Sequence, residues 1–306
     1  MENTTQKIIP HLWFDDDAEE AAAFYTSLFG DSQVGSATRY AREGFEIHGQ
    51  PEGRVMTIEF ELSGFRLIGL NGGPHFTFTP AISFFVVCES EAEVDELWKA
   101  FSEGGEPLVD LDAYDWSEKY GWIQDRYGIS WQLGLGELED VGQKITPSLL
   151  FVGDQYGRAE DALTFYTSVF GHSSISGILR HGADGAEKEG TVQHAQFSLG
   201  GEMFMAMDSG MDHAFSFNEA ISLLIECDSQ EEVDYYWEHL GRGGDPSAQQ
   251  CGWLKDRFGV SWQVSPTVLR EMIQDPDDEK VNRVTRAFLR MKKFDLEALT
   301  RAYEGR

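Results

Sequence analysis

Cysteine is scarce in this 306-residue chain: Cys88, Cys227 and Cys251 are its three thiols. So few, so scattered, exclude a disulfide framework or a zinc ribbon and fit a reducing compartment. Basic side chains are also short, 24 against 53 acidic ones, and a net charge of -29 repels phosphate backbones and anionic lipid. Neither nucleic acid nor a membrane is therefore an expected partner. The acidic excess fits either a salt-rich cytoplasm or a simple need for solubility. No apolar run reaches the ~18 residues of a membrane span, and the opening MENTTQKIIPHLWFDDD lacks the apolar core of a signal peptide. The expectation is a soluble, cytoplasmic protein. GxGxxG is absent, so the glycines serve turns rather than a nucleotide loop. With 41% apolar and 25% charged residues the chain is globular, and its length favours two ordinary domains over one.

What is present is written twice. FYTSLFG at Phe24 returns as FYTSVFG at Phe165, AISFFVVCES at Ala81 as AISLLIECDS at Ala220, and GWIQDRYGISWQL at Gly121 as GWLKDRFGVSWQV at Gly252. The order is kept, while the offset falls along the chain, so the copies differ by loop insertions and deletions. The main difference is PLVDLDAYDWSEKY after Glu106, where the second copy has only DPSAQQC after Gly244. The joint, GELEDVGQK, is too short for a free tether.

Each copy reads as α+β, with about eight strands and two helices. IPHLWF is a strand, followed by a helix whose apolar face is Ala21, Phe24, Tyr25 and Leu28, with Asp17 as its predicted cap and Gly30 as its stop. Ser90 with Glu93, and Ser229 with Glu232, form capping boxes before a second helix in each copy, ended by Gly104-Gly105 and Gly243-Gly244. RVMTIEFEL, FRLIGLN and AISFFVVC, with their second-copy counterparts, are rich in β-branched and aromatic residues and read as strands. After Pro266 the pattern turns helical, with Asp275 or Asp277, then Asp295, as caps. This tail carries Lys280, Arg283, Arg286, Arg290, Lys292 and Lys293, and reads as a basic surface helix docked on an acidic body, or else as an arm for a partner.

FYTSLFG, LNGGPHF with GGEP, GWIQDRYGISWQL and QCGWLKDRFGVSWQV together resemble the PhnB-like branch of the vicinal oxygen chelate superfamily, which includes glyoxalases, bleomycin-resistance proteins and extradiol dioxygenases. The resemblance covers residues 7–135 and 145–265, and the helical tail resembles an extension found in this branch. It implies tandem glyoxalase-like domains, 1–136 and 145–265, each of two βαβββ modules forming a cupped mixed sheet, then a helical extension over 266–306. Related single-copy proteins pair as dimers, so the tandem is expected to be an intramolecular pseudo-dimer; a homodimer is the alternative. The branch sometimes carries a demethylubiquinone methyltransferase label, which the residues do not support.

Metal-dependent members of the superfamily place His and Glu ligands on strands that converge on one ion. Carried across, the first slot falls on His11 and Ser148, the middle slot near Ser83 and Ser222, and the carboxylate slot on Gln132 and Gln263. Ser is a poor ligand for a divalent transition metal and Gln brings no charge, so no metal is expected. A route through His194, opposite Thr57 in the first copy, stays open to a divalent ion.

The remaining candidates belong to a small-molecule site. Glu59 and Gln196 share a strand position two residues after Thr57 and His194, hence one face, where Glu59 could serve as general base with His11 or be a solvated strand residue. Asn71 and His75 sit in a Gly-Gly-Pro loop that reads as a turn or as a polar lip, with Asp208 and His213 as its second-copy counterpart. Trp13, Trp131 and Trp262, with Trp122 and Trp253, offer an aromatic lining or ordinary core. Cys251 reads as an incidental thiol rather than a nucleophile. The expected function is metal-free binding of a small organic molecule. The alternative is a lyase, isomerase or dioxygenase-like enzyme using His11 and Glu59, or a divalent metal.

Overall fold

The computed structural model describes residues 6–306, so the first five positions of the leading predicted domain lie outside the described residues. Four βαβββ modules follow one another. The first holds β1 (Ile8–Phe14), α1 (Ala18–Leu28), β2 (Gln33–Arg39), a one-turn α2 (Phe45–His48), β3 (Val55–Leu62) and β4 (Phe65–Asn71). The second holds β5 (Ile82–Cys88), α3 (Glu91–Ser102), β6 (Glu106–Tyr114), β7 (Ser117–Gln124) and β8 (Ser130–Leu135), and α4 (Leu138–Val141) forms the joint. The third holds β9 (Ile145–Phe151), α5 (Ala159–Val169), β10 (Ser174–Arg180), β11 (Val192–Leu199) and β12 (Glu202–Asp208). The fourth holds β13 (Ile221–Cys227), α6 (Gln230–Gly241), β14 (Asp245–Gln250), β15 (Trp253–Lys255) and β16 (Ser261–Pro266). The tail contributes α7 (Thr267–Ile273), α8 (Asp278–Phe288) and α9 (Leu296–Glu304).

The α+β duplication stands, but the pairing is crossed. One eight-stranded sheet runs β14-β15-β16-β13-β1-β4-β3-β2 and the other β10-β11-β12-β9-β5-β8-β7-β6. Each sheet therefore joins a module of one copy to a module of the other, where one cupped sheet per copy was expected. The seams are antiparallel ladders: β1 on β13 with His11 opposite Ser222, and β5 on β9 with Ser83 opposite Ser148. This is the intramolecular pseudo-dimer in concrete form.

Strand alternation separates two faces. On β3, Ile58, Phe60 and Leu62 are buried in the main core with α1, while Thr57, Glu59 and Glu61 lie on the opposite, concave face. Within the shared core, a buried carboxylate links the two modules of a copy. Asp125, in the β7–β8 turn of one sheet, accepts from Tyr25 of α1, which packs on the other sheet, at 2.7 Å, and from Trp131 Nε1 at 2.8 Å. Its second oxygen accepts from the amides of Tyr127 and Ile129. Asp256 repeats the set with Tyr166, Trp262, Phe258 and Val260. The repeated DRYGISWQ and DRFGVSWQ strings are thus fold determinants. Burial pushes both carboxyls up, against donated hydrogen bonds that favour ionisation.

The two capping boxes form, with Ser90 and Ser229 accepting from the amides of Glu93 and Glu232. Asp277 and Asp295 cap the tail helices. Asp17, the predicted cap of α1, makes no side-chain cap bond. That work is done from across the sheet by Asn71, whose Oδ1 accepts from Ala18 N at 3.0 Å.

The tail lies on the body. Cys251 N and Gly252 N donate to Met291 O and Lys292 O at 2.8 and 2.7 Å. Gly252 has φ +81°, and a Cβ there would stand 2.5 Å from the Phe294 ring, so this contact requires glycine. Arg286 pairs with Glu43 at 2.5 Å, Arg42 with Glu279 at 3.3 Å, and Lys293 with Asp234 at 2.5 Å. The docking reading of the tail therefore holds. The tail meets the fourth module where the β14–β15 hairpin is short; the longer β6–β7 hairpin of the other sheet has no such partner among the described elements.

Candidate functional site

The first sheet cups a cavity of about 240 Å³. His11 of β1, Met56 and Thr57 of β3, Trp253 of β15 and Gln263 of β16 line it from the sheet; Leu269, Ile273, Val281 and Phe288 line it from the tail. An open groove of about 560 Å³ shares Arg39, Tyr40, Ala41, Ile273 and Val281 with it and forms its outer approach.

His11 is the polar centre of the cavity. It is 4% exposed, its ring stands edge-on to Trp253 with centroids 6.0 Å apart, and its Nδ1 has no hydrogen-bond partner. Burial pulls the imidazole down to about 3, so it is neutral near pH 7. A buried ring nitrogen without a partner costs about 1–3 kcal/mol. Gln263 donates through Nε2 to Ser222 Oγ at 2.9 Å. Thr57 shares a 2.6 Å hydroxyl contact with Thr38.

Glu59 falls on the same register row as His11, since Ile68 pairs with both residues, which puts their Cα atoms about 10 Å apart at the usual strand spacing. It is not a free base. Arg270 of α7 bonds Glu59 directly and reaches Glu226 at 2.7 Å, and Arg66 also approaches Glu226, at 3.5 Å.

The second sheet reproduces the geometry with weaker groups. Ser148 stands where His11 does, with its hydroxyl unpartnered, and Gln132 donates to Ser83 at 2.8 Å and accepts from Tyr120 OH at 2.7 Å. Gln196 lies on the same row through Met205, as Glu59 does in the first sheet. His194 is half-buried on β11, two residues before it on the same face, and burial lowers its pKa. Ser130, Thr146 and Trp122 Nε1 are also buried without partners there.

The predicted metal slots do converge, across copies: His11 with Ser222 and Gln263, and Ser148 with Ser83 and Gln132. Their donors do not suit a divalent transition metal. Two Gln–Ser hydrogen bonds stand where carboxylates would be needed, and among the described residues no three His, Cys, Asp or Glu side chains cluster to hold an ion.

Other candidates serve the fold. Asn71 caps α1 and also donates to Glu19 Oε2 at 2.6 Å and to Val55 O at 3.1 Å. Asp208 plays the same part in the second copy, accepting from Gly157, Ala159 and Val192 amides. Trp131 and Trp262 are sealed in the core on Asp125 and Asp256, away from either concave face. Trp13 donates to Gly73 O at 2.8 Å and lies against Gly72, where a Cβ would meet its ring at 2.1 Å. His75 is exposed beside it, ring centroids 6.4 Å apart. The sequence reading missed Tyr40 and the tail residues of the cavity wall. The missing hairpin length in the second copy, followed by a helical tail, was the signal that could have found the latter.

Crossed eight-stranded sheets built from four βαβββ modules, with a strand-borne row facing each concavity, make a glyoxalase-like fold. A family model described as 3-demethylubiquinone-9 3-methyltransferase matches residues 6–134 and again 143–265, and the chain belongs to that family. Among solved structures, a PhnB protein from Bacillus cereus is 41% identical over 43% of this chain and 100% of its own, with a TM-score of 0.39. Protein PA1353 from Pseudomonas aeruginosa is 22% identical over 43% of this chain and 98% of its own, with a TM-score of 0.36. Glyoxalase I from Zea mays is 10% identical over 86% of this chain and 95% of its own, with a TM-score of 0.51, a likeness of fold. No curated protein matches the sequence.

Proposed function

We propose that this protein binds a small organic molecule in the tail-covered cavity of the first sheet, without a catalytic metal. The observation that carries the reading is the imidazole of His11, neutral and with its buried Nδ1 unpartnered among the described residues, on the wall of a largely apolar cavity. Placed polar groups inside an apolar wall are how small-molecule sites combine affinity with orientation. At about 240 Å³ the space is below the ~300–1,000 Å³ of drug-sized sites, so the occupant is compact. The second sheet, with Ser148 in place of His11, is a weaker site on this reading. An enzymatic use of Glu59 as a base would require its release from Arg270. Methyl transfer, named in the family description, is not part of the proposal, because the chain lacks the glycine-rich turn that a nucleotide-type cofactor needs.

The test is native mass spectrometry with elemental analysis of protein purified without denaturation, alongside His11→Phe, which removes the ring nitrogens at nearly the same size. The expected result is a co-purifying organic mass that the variant loses. A stoichiometric divalent metal lost with His11, or an organic mass retained by the variant, overturns the proposal.

A further inference from the structure

Charge is distributed unevenly around this cavity. On a chain with a net charge of -29, the concave face beside the cavity carries Glu59 and Glu226, one on each side of the crossed seam. Both are tied to the single guanidinium of Arg270, which comes from the tail rather than the sheet, and Arg66 reaches Glu226 as well. The lining itself offers little free charge. Glu43 is paired with Arg286, and Arg39, on the exposed rim, donates to Gly53 O at 2.8 Å. The polar groups of the lining include the His11 imidazole and the amide of Gln263, which donates to Ser222 and keeps its carbonyl oxygen unbonded. Most of the remaining wall is apolar, including Trp253, Leu269 and Phe288, while Tyr40, Thr57 and Thr285 add hydroxyls and His48, its pKa lowered by burial, adds a ring that is neutral near pH 7.

An ion entering such a space leaves water and finds no opposite charge that is not already paired, which is costly at any wall polarity short of water. We propose that the occupant is an uncharged, compact, mainly apolar molecule with one hydrogen-bonding group, and that Arg270 sets this selectivity by neutralising Glu59 and, together with Arg66, Glu226. The inference rests on the binding reading of the cavity. Arg270 acts through the two carboxylates, so it is a selectivity residue rather than one that touches the occupant.

Three probes of similar size separate the charge states: benzyl alcohol, benzoate and benzylammonium, titrated at pH 7 with calorimetry and with the His11 ring resonances as the local reporter. Benzyl alcohol is expected to bind and shift those resonances, and the two ions to bind at least tenfold more weakly. In Arg270→Met the order changes, with benzylammonium gaining at least tenfold because Glu59 loses its cation and Glu226 keeps only Arg66. Arg270→Lys keeps the parent order. Where Arg270→Met does not fold, the double variant Glu59→Gln with Glu226→Gln gives the mirror result, since an uncompensated Arg270 then favours benzoate. An ion that binds the parent as well as benzyl alcohol does, with His11 shifted, overturns the charge inference and leaves the cavity reading standing. An unchanged order in the variants overturns the role of Arg270. No probe shifting His11, together with no co-purifying molecule, overturns the cavity reading itself.

Discussion

A histidine whose ring nitrogen has no partner and whose neighbours are mostly apolar must stay neutral, and this has a consequence that does not depend on any ligand. His11 titrates near 3 in the fold and near 6.5 when unfolded, so below pH 6.5 the unfolded chain takes up a proton that the folded chain refuses. The sign is destabilising on acidification: stability is full above 6.5 and is lost as pH falls toward 3. Between pH 7 and pH 5 the loss from this one group is roughly 2 kcal/mol. In urea unfolding at the two pH values, the parent should lose about that much more than His11→Phe. Parallel losses in parent and variant would show that the ring protonates freely in the fold. The same residue illustrates what single-residue reasoning achieves. His11 was legible as a cavity residue because it fell in a strand slot of a known scaffold. Glu59 was legible as its row-mate, but its pairing with Arg270 joins residues 211 positions apart and has no local signal.

Among the elements, the tail changes most in meaning when sequence and structure are set side by side. Its helices and caps are visible in the spacing of Asp277, Asp295 and the apolar positions, whereas its place over the concave face is not. Docking depends on three things at once: a short β14–β15 hairpin, a glycine at 252 that lets Phe294 approach, and carboxylates such as Glu43 and Asp234 opposite basic side chains. The capping roles of Asn71 and Asp208, read from the sequence as a turn or a polar lip, were not legible for a similar reason, since the helix starts they serve lie far off in sequence. The ion pairs at the tail are partly exposed and therefore open to salt, with a Debye length of only about 3 Å at 1 M. Cys251 lies half-buried at this contact, while Cys88 and Cys227 are buried and pushed up to about 12. Alkylation of Cys251 should accelerate several-fold between low salt and 1 M salt, and further when the chain is cut after Pro266, with the other two thiols silent. A labelling rate indifferent to both salt and truncation would mean that the tail does not cover this edge.

For the whole molecule, the repeat was fully legible and the crossed partnership was not, because pairing β1 with β13 or with β5 would satisfy the same alternation of apolar residues. What the crossing dictates can be tested by cutting the joint near Gly136–Lys144. Each half would then expose both of its seam strands, β1 and β5 or β9 and β13, as unpaired edges. Co-expressed halves should purify as a one-to-one complex whose unfolding resembles that of the parent. Halves that fold separately and ignore each other would be incompatible with the ladders at His11–Ser222 and Ser83–Ser148.

That mosaic construction also governs how the protein can diverge. Neither repeat owns a concavity, so drift in one of them alters half of both, and specialisation must proceed diagonally, the opening module co-adapting with the closing one. His11, Gln263 and Arg270 on one diagonal, against Ser148 and Gln132 on the other, show the asymmetry such a scheme permits: one hollow carries an imidazole and a tail-borne roof, its twin a serine.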